Sequence, residues 1–333
     1  MMHARVAHHH GPLMQIPDFD PAGGMEQWLR TLPVLLTDPV SPFWWPSLLT
    51  AGLAALGAAI LAGIRLREVP RMLFPGQRRA YLRELPVDIA CFLAGSSVPF
   101  LLGPVMYLMS YAGMAAGLLL LAPFAGLPAA DAPAPGPALL LLAALLAFGL
   151  GDFSLYWTHR LFHRVPLLWR AHRLHHAPEV LTPITAFRFW PQEHFVHICG
   201  NLVGQGLGVG IVSALAGTRV PAMTLLGVNA GLLVWGVAFA HLRHSHIPMA
   251  FPRWLSFVFV SPQMHQAHHS QDARHHDRNF GTAFALWDWI FGTLYLPDRA
   301  ERFRFGLGGE ASAAPAPAAA ARPEPAETRA TAP

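Results

Sequence analysis

Residues 151–176, GDFSLYWTHRLFHRVPLLWRAHRLHH, carry five histidines within eighteen positions. His159 and His163 are four apart, and His172, His175 and His176 form an HxxHH set. On an α-helix, side chains three or four apart lie on one face, so each set aims its imidazoles at a common point, which is the geometry of a chelate. A second HxxHH set follows at His265, His268 and His269. Two distant segments therefore each supply one wall of a metal cage. Of the 19 histidines, 15 fall between His159 and His276, and this crowding is what separates a ligand set from a chance surface pair. Imidazole suits zinc, copper, iron and nickel, and it binds in the neutral form that prevails near pH 7.

The chain around this stretch is apolar. Of 333 residues, 53% are hydrophobic and 13% charged, against about 25% charged in soluble domains. The shortage is concentrated in long uncharged runs, which predicts an all-α integral membrane protein with about five (four to six) transmembrane helices and a cytoplasmic, histidine-rich helical cap. The two cysteines, Cys91 and Cys199, lie in apolar segments, so neither a disulfide framework nor a CxxC zinc site is on offer. The formal charge of +4 comes mostly from arginines clustered in loops; these are topology signals, and no nucleic-acid partner is expected.

Four regions are expected. Residues 1–40 are polar and proline-punctuated, include the His8, His9, His10 run, and show no signal-peptide pattern. Residues 41–136 form an N-terminal membrane region. Its first span is 46–64, long enough to cross the hydrocarbon core, followed by a loop holding Arg65, Arg67, Arg71, Arg78, Arg79 and Arg83. Such an excess of arginine marks the cytoplasmic side. The apolar region 87–127, broken near Ser110 and Tyr111, crosses either once or twice. A single crossing puts His159 on the cytoplasmic side, and Arg160, Arg164, Arg170 and Arg173 favour that arrangement. Residues 137–300 form the histidine-bearing domain, with a span at 138–157, an interfacial stretch after His176, and a hairpin of two spans at 195–216 and 220–240. Residues 306–333 are rich in alanine and proline, without apolar period, and are expected to be disordered.

Three or four protein ligands satisfy a tetrahedral zinc ion, so at least eight histidines in three clusters fit two ions better than one. The candidate ligands are His159, His163, His172, His175, His176, His244, His265, His268 and His269, with His241, His246 and His276 as further possibilities. A ligating imidazole usually donates its other N–H to a carboxylate or carbonyl. Asp152, Glu179, Glu193, Asp277 and Asp288 are the nearby acids. A histidine-rich metal transporter is the rival reading, but transport sites place ionisable groups inside the spans, whereas these histidines sit at span ends.

The order GDFSLYWTHRLFH, LWRAHRLHHAPE, RFWP, HLRHSHI, SPQMHQAHHS and DRNFGTAFALWDWIFGT, over about residues 145–297, resembles the fatty acid hydroxylase/sterol desaturase superfamily of histidine-box membrane oxygenases. The resemblance implies a membrane enzyme, an oxidoreductase that hydroxylates or desaturates a C–H bond of a sterol or fatty acyl lipid. It implies two Fe ions, replaceable by Zn, with O2 as co-substrate, on the cytoplasmic side of a bacterial-type inner or cell membrane. By position, His159 and His163 would be the first ligand pair, His172, His175 and His176 the second set, His244 the third, and His265, His268 and His269 the last, with no catalytic residue separate from them. The sequence departs from the pattern at Ser245, His246 and at Trp190, Pro191; Trp190 cannot ligate and is expected to line the substrate pocket. No GxGxxG follows a strand, so electrons are expected from a separate reductase, ferredoxin or cytochrome.

Overall fold

A computed structural model describes residues 20–37, 45–61, 78–221, 224–225, 228–236, 241–298 and 301–308. The described chain is helical apart from one two-residue hairpin and two isolated bridges. In order, the helices are α1 (Pro21–Thr31), α2 (Trp45–Leu61), α3 (Arg78–Ala125), α4 (Pro137–Arg164), α5 (Pro166–His176), α6 (Pro191–Ala216), α7 (Ala230–Trp235), α8 (His241–Arg243), α9 (Arg253–Ser256), α10 (Pro262–His268) and α11 (Leu286–Ile290). Among the described residues, α3, α4 and α6 are long and apolar enough to cross a membrane by length and composition.

Proline sets most of the boundaries. Its ring fixes φ and suits the first helical position, while the residue before it is pushed to extended backbone. Val165, just ahead of Pro166, is extended (φ −98°, ψ 116°), so α4 stops at Arg164 and α5 starts one residue later. Trp190 and Pro191 start α6 in the same way, and Gly217 closes that helix in the left-handed region (φ 64°). In α3 the irregular residue is Leu102 (φ −119°, ψ 17°). The break is therefore not at Ser110 and Tyr111, which are helical. Pro104 explains the shift: it removes one backbone donor and disfavours helix just before it.

The three long helices pack through small residues. A Cβ on Gly204 would strike the Leu150 carbonyl of α4, and one on Gly206 would strike the Ser110 carbonyl of α3, so α6 meets both neighbours backbone to backbone. The contacts also give the chain's direction. Along α3 and α6, Gly95 lies beside His194, Gly113 beside Val203 and Gly117 beside Gly210, so these helices run parallel and the 87–127 region passes α6 once. Along α4 and α6, Gly200 lies beside Thr158 and Gly208 beside Ala147, an antiparallel pair. The start of α3, the end of α4 and the start of α6 consequently share one end of the bundle.

One expectation changes. Residues 220–240 were expected as a span, but the described part is a hairpin, Thr224–Leu225 paired with Val228–Asn229, followed by the six-residue α7. Pro221, Gly227, Asn229 and Gly231 interrupt helical pattern there, and Gly231 packs directly on the Phe148 ring. The polar N-terminal segment contributes α1. Asp20 caps α1 by accepting from Gly23 N at 3.0 Å, and Trp28 Nε1 donates to Ser96 Oγ of α3 at 2.9 Å. His8, His9, His10, Arg65, Arg67, Arg71, and the tail beyond 308 lie outside the described residues.

The stretch after His176 is tied down by a buried ion cluster. Arg188 Nη1 donates to Glu84 Oε2 at 2.7 Å and Asp88 Oδ1 at 3.1 Å, and Thr185 Oγ1 donates to Asp88 Oδ2 at 3.1 Å. Glu84 and Asp88 are one turn apart on α3. A second pair, Arg83 to Glu179 at 2.8 Å, makes the same connection at the surface.

Candidate metal centre

The end of the bundle that holds the start of α3 also holds the histidines. Nine of them form two adjacent groups whose ligand atoms lie within 4.8 Å of one another: His159, His163, His172, His176 and His268 in the first, and His175, His244, His265 and His269 in the second. All nine are buried. The HxxHH sets are split between groups. Residues i and i+4 of each set (His172 and His176, His265 and His269) stay together, while the middle histidine (His175, His268) points to the other group. At 100° per residue, i+3 and i+4 project on opposite sides of i, so each short helix serves both groups at once.

The nitrogens that converge are Nε2. In the first group, His172 Nε2 lies 3.2 Å from both His159 Nε2 and His176 Nε2. In the second, His244 Nε2 lies 3.1 Å from His175, 2.8 Å from His265 and 3.2 Å from His269. The outward nitrogens fix the tautomer at three positions. His159 Nδ1 donates to the Phe280 carbonyl at 2.9 Å, His268 Nδ1 to the Arg278 carbonyl at 2.8 Å, and His172 Nδ1 to Glu193 Oε1 at 2.5 Å. With the protons outside, the inward Nε2 atoms present lone pairs to one another, and lone pairs at 3.2 Å do not hydrogen-bond. His163 Nε2 and His268 Nε2, both buried, likewise have no hydrogen-bond partner among the described residues. A cation is what reconciles such atoms. Nitrogens bound to one ion at about 2.0–2.1 Å sit roughly 3.0–3.4 Å apart, close to the 3.1 and 3.2 Å of most of these pairs. The donor set therefore fits a metal.

Electrostatics agrees. Burial first, and neighbouring charged groups second, hold His175, His176, His244, His265 and His269 far below the usual imidazole range, and burial brings His268 down to about 3. These side chains are ready ligands at neutral pH. The unfolded chain takes up protons at histidine as pH drops below about 6.5, while the folded chain resists. Stability from the neutral imidazoles is therefore complete above that value and declines as pH falls towards the folded values. Metal-free protein in detergent is expected to show a thermal midpoint that is nearly level above about pH 7 and drops from about 6.5 to 5.5, followed by scanning fluorimetry; a flat profile across that range would contradict the buried, neutral state.

The other expected residues divide. Glu193 touches His172 and is itself buried. Asp152 braces the closing segment, accepting from Ala283 N, Phe284 N and Trp287 Nε1 at 2.7, 3.0 and 3.0 Å. Asp288 accepts from Phe280 N and Gly281 N at 2.8 Å each and from Thr293 Oγ1 at 2.6 Å, and so steadies the carbonyl that holds His159. Its burial pushes the carboxyl up to about 6. Glu179 faces Arg83, and Asp277 lies 3.4 Å from Arg164, neither beside a histidine of the two groups. His246 is half-buried and His276 exposed, and neither joins a group. The side chain of His241 lies outside the described residues. Trp190 is 52% exposed at the start of α6.

Three contributors were not read from the sequence. His197, one turn beyond Glu193, forms a third group with Glu193 and His172; the i, i+4 spacing after Pro191 was its signal. Phe189 stacks on His175 with ring centroids 4.3 Å apart. Asn279, in the left-handed region (φ 55°), clamps the turn that offers the Arg278 and Phe280 carbonyls, donating to Met264 O at 3.0 Å and Tyr295 O at 2.9 Å.

A membrane-spanning helical bundle with a buried polyhistidine metal site at one end is the class that these features define. Comparison narrows it: a fatty acid hydroxylase family model matches residues 144–293, the segment that holds all nine histidines of the two groups. The ornithine lipid hydroxylase OlsE of Rhizobium tropici is 29% identical over 166 residues, covering 50% of this chain and 46% of that protein. The alkylglycerol monooxygenase of Homo sapiens is 26% identical over 156 residues, 47% of this chain and 31% of that protein. The fatty acid hydroxylase vlmA of Lecanicillium sp is 28% identical over 167 residues, 45% of this chain and 40% of that protein. The chain thus spans less than half the length of these relatives. No solved structure matches.

Proposed function

We propose that this protein is a membrane oxygenase that holds two iron ions, one in each histidine group, and uses O2 with two externally supplied electrons and two protons to hydroxylate or desaturate a lipid C–H bond. The observation that carries the reading is the convergence of nine buried imidazoles into two adjacent groups, with the lone pair turned inward at His159, His172 and His268. Iron, when bound, would activate O2, and O2 is the oxidant. The chain's own part is to hold and orient. Glu193 and the Arg278 and Phe280 carbonyls fix three imidazoles, and burial keeps bulk water from the centre. The relatives' names mention ornithine lipid, alkylglycerol and fatty acid, whose shared element is a long acyl or alkyl chain. A lipid with such a chain is the substrate class, and a separate reductase, ferredoxin or cytochrome is the electron source.

The site is assigned to the cytoplasmic side. Arg78, Arg79 and Arg83 begin the helix whose start lies at the histidine end, and Arg83 pairs with Glu179 just beyond His176, so the arginine excess and the centre share one side of the membrane. A reporter enzyme fused after Arg79 is expected to register cytoplasm; a periplasmic or external signal would reverse the assignment. For the activity, lipids extracted from cells with and without the protein are compared by mass spectrometry. Gain of one oxygen or loss of two hydrogens in an acyl or alkyl lipid is expected, together with about two iron atoms per purified chain, as the two ligand groups require. Unchanged lipids from cells whose protein is metal-loaded would sink the oxygenase reading.

A further inference from the structure

The two histidine groups differ in what stands behind them. In the five-histidine group, three outward nitrogens are tied to fixed acceptors: His159 to Phe280 O, His268 to Arg278 O and His172 to Glu193. Both carbonyls belong to one turn, which Asp288 and Asn279 hold from either side. In the four-histidine group, the outward Nδ1 atoms of His175, His244, His265 and His269 are all buried and have no hydrogen-bond partner among the described residues. An acceptor behind an imidazole fixes its orientation and raises its basicity, and losing such partners lowers metal affinity by about 10–100-fold.

Charge works in the same direction. The Glu193 carboxylate lies against His172 of the five-histidine group. Beside the four-histidine group lies Arg243, the chain neighbour of His244, whose Nη1 donates to the Thr282 carbonyl at 2.9 Å. Among the described residues it forms no ion pair, and Asp152 is the carboxylate that acts on it from beyond ion-pair distance. A fixed positive charge beside the four-histidine group opposes a metal cation there.

We propose that the two groups take up metal unequally: the five-histidine group fills first and retains its ion, and the four-histidine group fills last and exchanges. The inference rests on the two-metal reading above, and it identifies which ion a preparation loses first. The test is a Co(II) titration of the full chain, stripped by a chelator in detergent, followed by visible absorption and by bound metal per chain. Two uptake steps separated by about tenfold or more are expected. His244→Ala should remove the weaker step and leave the tighter one at its wild-type midpoint, which also shows that the variant is folded. Glu193→Gln should weaken the tighter step by about 10–100-fold, and Arg243→Met should strengthen the weaker one.

Two ions bound with the same midpoint, or loss of the tighter step in His244→Ala, would overturn the inequality and leave the two-metal reading standing. Saturation at one ion per wild-type chain would instead remove the two-metal reading itself, and the inference with it.

Discussion

Replacing His172 by alanine is expected to abolish lipid oxidation while the protein still inserts in the membrane. His172 is fully buried, its Nε2 sits 3.2 Å from both His159 and His176, and its Nδ1 is held by Glu193. No other side chain of the first group touches two of its members and a buried carboxylate together. Since even the outer partners of metal ligands are worth about 10–100-fold, loss of this imidazole should reduce product formation by more than about 100-fold. Alanine suits the helix better than histidine does, and α5 lies beyond the three long apolar helices, so insertion and expression should hold. His276→Ala is the matched comparison: that side chain is exposed and outside both groups, and product should stay near wild type. Equal activity in the two variants would show that the five-histidine group does no chemistry. Product is measured by lipid mass spectrometry, and insertion by membrane fractionation.

The largest expected loss of stability is at Arg188. Its guanidinium is buried against Glu84 and Asp88, and Arg188→Met leaves those two carboxylates enclosed without their cation. Breaking a buried ion pair from one side costs about 3–5 kcal/mol, enough to empty the folded state of a marginal protein. The expected result is a large drop in thermal midpoint in detergent, read by scanning fluorimetry. Adding Glu84→Gln and Asp88→Asn to Arg188→Met removes the stranded charges and should restore much of the loss. A single variant as stable as wild type would mean that the cluster is not what anchors the stretch after His176 to α3.

Much of the site was legible because helical spacing is a local property. HxxxH and HxxHH each put imidazoles on one helical face whatever the surroundings, and nine candidate positions could be named from spacing and resemblance. What spacing did not reveal was the partition: that His175 leaves His172 and His176 for the other group depends on α10 lying opposite α5, a contact between segments about ninety residues apart in sequence. The acids show the same limit. Glu193 reaches His172 because Pro191 starts α6 beside it, whereas Glu179, closer in sequence, turns to Arg83.

The fold divides along similar lines. Long uncharged runs identified α3, α4 and α6, since length and apolarity suffice for a span. Residues 220–240 have the apolarity without the continuity: glycine, proline and asparagine punctuate them, and the described part folds as a hairpin and a short helix. The break in α3 was misplaced by eight residues because composition changes at Ser110, while the backbone is decided by Pro104.

The junction at Val165 and Pro166 is a rigid elbow of a single residue, and it makes the chain intolerant of length changes there. Inserting one residue into α5 between Pro166 and His172 would rotate the following imidazoles by about 100° about that helix, swinging His172 out of line with His159 although every histidine remained in the chain. The eight residues separating His163 from His172 are therefore a fixed measure rather than a tether, and insertion scanning across 166–172 should find this segment as unforgiving as the imidazoles themselves.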